Sequence, residues 1–187
     1  MAQRSESTLN TDSLPETIEV GNGLTMTFRS SPTLVVLHAT GAPGAERFVV
    51  PPHWHPNHGE YHRVLKGRLA ITRGGVTQVV TPDDGELYTP AGVVHSMEGF
   101  EGEELILEER TDPVDPDKET LFRNMFPDGK VEANPLKVMQ MFYQHGDSYP
   151  ALPGGVHFLE KALVYVLGGC LAPALGYRPK FKNLKSG

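Results

Sequence analysis

Two histidines and a glutamate follow one another with the spacing His-x-His-x4-Glu, at His53, His55 and Glu60. If residues 52–56 are extended, the two-residue period of a strand sends both imidazoles to one face and Trp54 to the other. After a short turn, Glu60 opens the next strand and can bring a carboxylate to the same point. Neutral imidazole and carboxylate together suit Fe, Mn, Ni, Cu or Zn. The spacing therefore predicts a site for one divalent transition metal.

A fourth candidate ligand, His95, follows a turn that Pro90 and Gly92 create. Four protein ligands around an ion that accepts about five or six leave room for water, oxygen or substrate, which is typical of a catalytic site. A structural zinc site would be closed, usually by thiolates, and the chain has a single cysteine, Cys170. The identity of the metal is not encoded in this ligand set.

At these residues the sequence resembles the cupin superfamily, whose first motif reads G-x5-H-x-H-x3,4-E-x6-G and whose second reads G-x5-P-x-G-x2-H-x3-N. The positions that agree with the first motif are His53, His55, Glu60 and Gly67, and those that agree with the second are Pro90, Gly92 and His95. Three positions depart from the motifs, namely Arg47, Asp84 and Gly99. The resemblance implies a cupin barrel that holds the metal through all four ligands.

Other polar or aromatic residues near the motifs have two readings each. His62 shares strand parity with Glu60, so it should face the barrel interior, either acting in catalysis or as a buried histidine held by the backbone. Tyr88 could donate to a substrate or pack in the core. We expect His58 to be exposed in the turn, and Trp54 to be a packing or interface residue.

The remainder of the first 111 residues predicts an antiparallel all-β fold. Short β-branched or apolar runs recur about every 8 to 12 residues between Gly/Pro turns, without an intervening helix. The Gly74-Gly75 pair predicts a two-residue hairpin between strands over residues 68–72 and 76–80. With the resemblance, this predicts a cupin barrel, a double-stranded β-helix of jelly-roll type, over residues 17–111, preceded by a flexible arm over residues 1–16.

Residues 112–187 predict a helical extension that packs on the barrel or at a dimer interface. Asp115-Pro116 and Asn134-Pro135 each supply an N-cap and a first-turn proline for a helix. The first helix should end near Phe126, the second should be capped by Gly146, and a third should run from Val156 to about Gly168. The uncharged run over residues 162–177 offers a surface, so we expect a homodimer.

Composition narrows the classes of partner. The chain has 187 residues, 17 basic and 23 acidic, and a net charge of −6, which argues against a nucleic-acid-binding surface. The basic cluster of Arg178, Lys180, Lys182 and Lys185 is typical of a solvated tail. The polar stretch over residues 1–19 predicts no signal peptide, and residues 162–177 are too short for a membrane span. We therefore expect a cytoplasmic protein. Cys170 sits in an apolar run, so we expect it to be buried.

Three functions fit these residues. The first is a metal-dependent enzyme acting on a small phenolic, enolic or keto substrate, with a dioxygenase as the leading hypothesis because oxygen chemistry needs a redox-capable ion with open positions. The second is a decarboxylase, isomerase or dehydratase that uses the same enolate. The third is a non-catalytic cupin that binds a small molecule. Residue identities do not separate them.

Overall fold

The computed structural model of the chain describes residues 14–30 and 33–181. The first thirteen residues of the predicted arm lie outside the described residues, as do Lys182 and Lys185 of the basic tail. Ten strands precede the α-helices in the described residues: β1 (Thr17–Gly21), β2 (Leu24–Ser30), β3 (Thr33–Ala39), β4 (Val49–Trp54), β5 (Gly59–Lys66), β6 (Leu69–Arg73), β7 (Val76–Val80), β8 (Glu86–Thr89), β9 (His95–Glu98) and β10 (Leu105–Asp112).

These strands confirm the predicted all-β antiparallel barrel. Within the described residues they form two sheets, with the orders β1-β2-β3-β10-β5-β8 and β11-β4-β9-β6-β7, where β11 is Tyr149–Pro150. Apolar side chains of the two inner faces meet in one core, to which both sheets contribute. The predicted Gly74-Gly75 hairpin is confirmed, since Arg73 pairs with Val76 across it.

The inner face of the barrel changes from apolar to polar along its length. On β10 the residues Leu105 and Leu107 are buried, and two positions further along the same face comes Glu109. On β5 the buried residues run in the opposite chemical order, from Glu60 and His62 to Val64. Because β5 and β10 are antiparallel neighbours, their polar residues lie at the same end of the barrel. Apolar packing therefore stabilises one end of the barrel, and the polar side chains at the other end are available for binding or catalysis.

Gly67 has a backbone reason to be glycine. It has a positive φ of 78°, and a side chain there would place its Cβ 2.0 Å from the carbonyl oxygen of Glu104. Any other residue would force β5 and the chain before β10 apart. The match of Gly67 to the motif therefore fits the close approach of two backbone segments.

The helical extension follows the predicted order with shifted ends. It contains α1 (Lys118–Met125), α2 (Pro135–His145), α3 (His157–Val164), a π-helical stretch (Tyr165–Leu171) and α4 (Ala172–Ala174). Asn134 and Gly146 cap α2 as predicted, with Asn134 Oδ1 accepting from two backbone amides and Gly146 in the left-handed conformation. The predicted end of the third helix near Gly168 is too early, because the π-helical stretch carries the helix on to Ala174.

Asp115 is not the N-cap of α1, which corrects the prediction. Asp117 holds that position instead. The carboxylate of Asp115 accepts hydrogen bonds from the amide of Asp117 at 2.9 Å and from His145 at 2.6 Å, so tertiary contacts use it and the helix begins two residues later.

A buried glutamate fastens α3 to the barrel. Glu160 is fully buried, and its carboxylate accepts from Trp54 Nε1 and from the amide of Leu152, each at 2.7 Å. The indole of Trp54 also stacks on His157 with ring centroids 3.8 Å apart and on Tyr149 at 5.1 Å. Trp54 is thus the packing residue that its strand parity predicted, on the opposite face of β4 from the candidate ligands.

We predict that Glu160→Gln lowers the free energy of unfolding by about 1–3 kcal/mol, because an amide can accept from only one of the two donors and leaves the other buried without a partner. Urea denaturation measures the change. The control is Glu101→Gln, on an exposed turn, which should leave stability within about 0.5 kcal/mol of the original. Equal stability of the two variants would contradict the assigned role.

Candidate metal centre

Four side chains from three strands and one loop converge at the polar end of the barrel. His53 on β4 pairs directly with His95 on β9, and Glu60 comes from β5 in the other sheet. His55 follows β4, and its carbonyl accepts from the amide of Gly92 at 2.7 Å. This bond fixes the turn that precedes His95 against the chain segment that carries His55. One donor atom from each of the four residues lies within 4.8 Å of the other three. That spread is close to the ~4 Å between opposite ligands on an ion with bonds of about 2.1 Å.

The imidazole tautomers favour coordination through Nε2. The Nδ1 atoms of His53, His55 and His95 lie 2.9, 2.6 and 3.0 Å from the carbonyl oxygens of Pro51, Asp147 and Val93 respectively. Because a carbonyl can only accept, each Nδ1 carries its proton, and a neutral ring has its lone pair on Nε2. His55 Nε2 lies 3.1 Å from Glu60 Oε1 but has no partner in hydrogen-bonding geometry among the described residues. A buried lone pair of this kind suits a metal ion.

The electrostatics of the three imidazoles differ. Burial lowers the pKa of His53 to about 3, and the neighbouring rings of His95 and His55 add to the shift. Burial likewise lowers the pKa of His55. Burial also disfavours the charged form of His95, but its 2.8 Å hydrogen bond to Glu60 outweighs this and raises the pKa of His95 above its ordinary value. His53 and His55 are therefore neutral and could act as ligands, whereas Nε2 of His95 shares a proton with Glu60.

Glu60 is ionised although it is buried. Burial by itself raises the pKa of a carboxyl group, but the ammonium of Lys118 holds the pKa of Glu60 well below its usual value. The four residues thus offer three imidazoles and one carboxylate at one point. This donor set fits the divalent transition metal that the sequence predicted, and it does not choose among Fe, Mn, Ni, Cu and Zn.

The structure places the other predicted site residues in different surroundings. His62 is buried beside the centre, with Nε2 3.5 Å from Glu60 Oε2, and neither ring nitrogen has a hydrogen-bond partner among the described residues. Tyr88 is 41% exposed and its ring packs on Tyr61, whereas the next residue, Thr89, is buried. Strand alternation therefore puts Tyr88 on the outer face of β8, and its hydroxyl is not part of the cluster.

The expectation that His58 is exposed is wrong. It is 3% exposed, and its Nδ1 lies 2.6 Å from Asp147 Oδ2. The loop after α2 covers the turn before β5, because Asp147 also accepts from the amide and side chain of Asn57 at 2.9 Å. The sequence of the turn contains no sign of this cover.

Sequence reasoning missed several polar residues that support the centre. Lys118 from α1 contacts Glu60 and lies 2.6 Å from Glu109 on β10. Ser148 contacts the Nδ1 atoms of His55 and His145, at 3.2 and 3.1 Å. The alternation Leu105, Leu107, Glu109 could have revealed an inward glutamate, but Lys118 and Ser148 belong to the extension and carry no spacing pattern.

We predict that acid weakens the metal-free protein through Glu109. Burial raises the pKa of this carboxyl, but Lys118 outweighs that effect and the pKa is lowered to about 2, against about 4.3 in an unfolded chain. The stability that ionised Glu109 contributes is therefore complete above about pH 4.3, and about 1.4 kcal/mol of it is lost per pH unit as the pH falls toward about 2.

Denaturant unfolding in the presence of a chelator measures this loss. Between about pH 6 and pH 3 the stability difference between the wild type and Glu109→Gln should narrow by about 2 kcal/mol. A difference that stays constant over this range would show that Glu109 titrates normally.

Comparison with known proteins agrees with this architecture. The sequence profile described as "Cupin domain" matches residues 38–107. An oxidoreductase from Arthrobotrys oligospora is 28% identical over 145 residues, which cover 70% of this chain and 57% of the relative. A probable oxidoreductase from Aspergillus niger is 31% identical over 147 residues, which cover 69% of this chain and 56% of the relative. The chain thus spans about half the length of these relatives.

Among solved structures, an RmlC-like cupin from Shewanella frigidimarina aligns with a TM-score of 0.37 and 22% identity, over 58% of this chain and 91% of that one.

In the described part of the chain, the helices lack the length and apolarity that a bilayer crossing requires.

Proposed function

We propose that this chain, which belongs to the cupin superfamily, is a metal-dependent oxidoreductase that acts on a small phenolic, enolic or keto compound, with dioxygenation as the reaction. The observation that carries the proposal is the convergence of His53, His55, Glu60 and His95 at the polar end of the barrel. The relatives named as oxidoreductases support the reaction class.

A divalent transition metal held by these four residues would act as a Lewis acid toward a substrate oxygen and, where the ion is redox-active, would bring electron transfer to dioxygen within reach. The protein supplies the setting. Backbone carbonyls fix the three rings, and Lys118 keeps Glu60 anionic. His53 is the half-buried member of the set, so a substrate would approach past this residue.

His62 is the residue that we propose as the proton carrier. Its side chain is 1% exposed and lies between the carboxylates of Glu60 and Glu109, 3.5 and 3.7 Å from Nε2. A neutral imidazole there can accept a proton from a substrate hydroxyl at Nε2 and return it to the product. Tyr88 would act only if its side chain moved from the outer face.

We predict that purified protein holds about one divalent ion per chain and that His53→Ala and Glu60→Ala lose the ion while keeping a folded barrel, because the apolar core lies at the other end. Elemental analysis and circular dichroism measure this. His38→Ala is the matched control, since His38 is a partly exposed histidine paired with Glu104. Loss of the fold in both site variants would instead mean that the ion is structural.

Oxygen uptake then separates the reactions. After anaerobic reconstitution with Fe²⁺, metal-dependent oxygen consumption with phenolic or enolic compounds supports a dioxygenase. Turnover of the same compounds without oxygen would instead indicate a decarboxylase, isomerase or dehydratase. Binding of a compound to metal-free protein, with no turnover, would indicate a non-catalytic cupin.

We also propose a homodimer that forms through the outer surface of the C-terminal helix. This surface comprises the exposed apolar side chains of Phe158, Leu159, Tyr165, Val166, Leu171 and Leu175. With each about half exposed, they present roughly 600 Å², taking 150–250 Å² for a whole large side chain. A standard interface takes about 800 Å² from each partner. Cys170 lies on the same surface and is exposed, which corrects the expectation that it is buried.

A second copy is the partner that we favour over an anionic membrane, since the chain carries a net charge of −6.

We further propose that residues 1–16 are an arm, 17–111 the barrel and 112–187 the extension. The single cysteine supports a cytoplasmic location.

We predict that Val166→Asp converts the dimer to a monomer, because an unpaired carboxylate in an apolar interface costs several kcal/mol. Light scattering after gel filtration gives the mass. Val76→Asp, on the 70% exposed residue of β7, should leave the dimer intact. A monomeric wild type at micromolar concentration would rule out this interface.

A further inference from the structure

A buried lysine reaches the candidate metal centre from the helical extension. Lys118 is the first residue of α1 and is 7% exposed, with its ammonium in contact with the carboxylates of Glu60 and Glu109. Its Nζ lies 5.7 Å from the ring centroid of Phe122 on the same helix. Burying an ammonium is costly unless it is paired. The two carboxylates therefore hold the start of α1 against the open end of the barrel.

The contacts of Glu60 show what Lys118 does for the centre. Glu60 Oε2 lies 2.8 Å from His95 Nε2, and Oε1 contacts both Lys118 and His55. Two groups from outside the ligand set face Oε1, and Lys118 is the one in direct contact, since His58 Nε2 lies 3.7 Å away. It therefore fixes how the carboxylate is rotated, and with it which oxygen faces His55.

Glu109 makes the lysine a rigid support. A lone lysine has a long flexible side chain, but Lys118 Nζ is tied to Glu109 Oε1 at 2.6 Å. Glu109 on β10 pairs with His62 on β5, and β5 is also the strand that carries Glu60. The chain of contacts Glu109–Lys118–Glu60 thus starts and ends on neighbouring strands and passes through α1.

We propose that Lys118 is a positioning residue of the metal centre, which holds the Glu60 carboxylate in place for the ion and makes ion binding in the barrel depend on the docking of α1. The inference rests on the proposed function in one respect, that the barrel binds a divalent ion. By linkage, the ion stabilises the docked helix as much as the docked helix strengthens ion binding.

Charge alone would give the opposite result. An ammonium repels a dication, so removing Lys118 should tighten binding if charge were its whole effect. If its main effect is to position Glu60, removing it should weaken binding, and a supporting group of this kind is typically worth about 10- to 100-fold in metal affinity. The direction of the change therefore separates positioning from direct repulsion. The pH dependence separates it from protonation of Glu60, because affinity lost only through protonation returns as the pH rises, whereas affinity lost through misplacement of the carboxylate does not.

Co²⁺ alone serves as the probe, with its affinity measured by calorimetry and its coordination by visible absorption. Lys118→Met should bind Co²⁺ about 10- to 100-fold more weakly than the wild type and change the absorption bands. The double variant Lys118→Met/Glu109→Gln removes one charge of each sign, and it should stay weak because the support is still missing. The control Lys137→Met, which removes a half-exposed lysine of α2 paired with Glu132, should bind as the wild type does.

Tighter binding by Lys118→Met, or recovery of affinity in the double variant, would overturn the proposal in favour of a charge effect. Unchanged affinity in Lys118→Met would also overturn it. A wild type that binds no Co²⁺, Fe²⁺ or Zn²⁺ would instead overturn the proposed function itself.

If Lys118→Met does not fold, hydrogen exchange of the wild type provides a second test of the coupling between α1 and ion binding. Saturating Co²⁺ should slow amide exchange across residues 118–125, and the peptide over β7 should exchange as before. Equal exchange of α1 with and without Co²⁺ would overturn the coupling.

Discussion

A carboxylate cannot be removed from water unless other groups replace its hydration, and Glu60 imposes this requirement on the whole open end of the barrel. It is 2% exposed, and its partners come from both sheets and from the extension. His95 belongs to β9, His55 follows β4, and Lys118 begins the first helix of the extension. The two sheets and the extension therefore meet at one charge.

The division of the barrel into an apolar and a polar end explains how such a charged site is tolerated. Unpaired polar groups in the middle of a packed core would cost more than the packing returns. Here the closely packed residues, such as Ile71 and Leu107, lie toward one end, so the core keeps its stability. The polar end needs a separate cover, which α1, β11 and the loop that carries Asp147 provide.

The sequence alone reveals the barrel strands and the candidate ligand set far better than it reveals the extension. Residues 53, 55 and 60 have a fixed spacing on consecutive strands, and the parity of His62 with Glu60 follows from the two-residue period. The buried state of His58, the role of Asp115 and the contact of Lys118 with Glu60 have no such source. Each depends on how residues thirty or more positions apart come together, and local patterns do not contain that information. The same limit applies to Cys170, whose apolar neighbours suggested burial although the side chain faces outward.

The π-helical stretch in the last helix has a consequence for how this chain can change over time. Glu160, Val164, Gly168 and Ala172 are all buried at four-residue intervals, whereas an unbroken α-helix would turn by about 40° more than a full circle at each such step. The wider turn offsets that drift and keeps Gly168 against the Met139 carbonyl oxygen, where even a methyl group would clash. Losing one residue from the α-helical part, His157–Val164, would swing the rest of the helix by about 100°. Side chains along this segment can therefore be exchanged at a lower cost than a change in its length, which a surface turn such as residues 100–103 accommodates more readily.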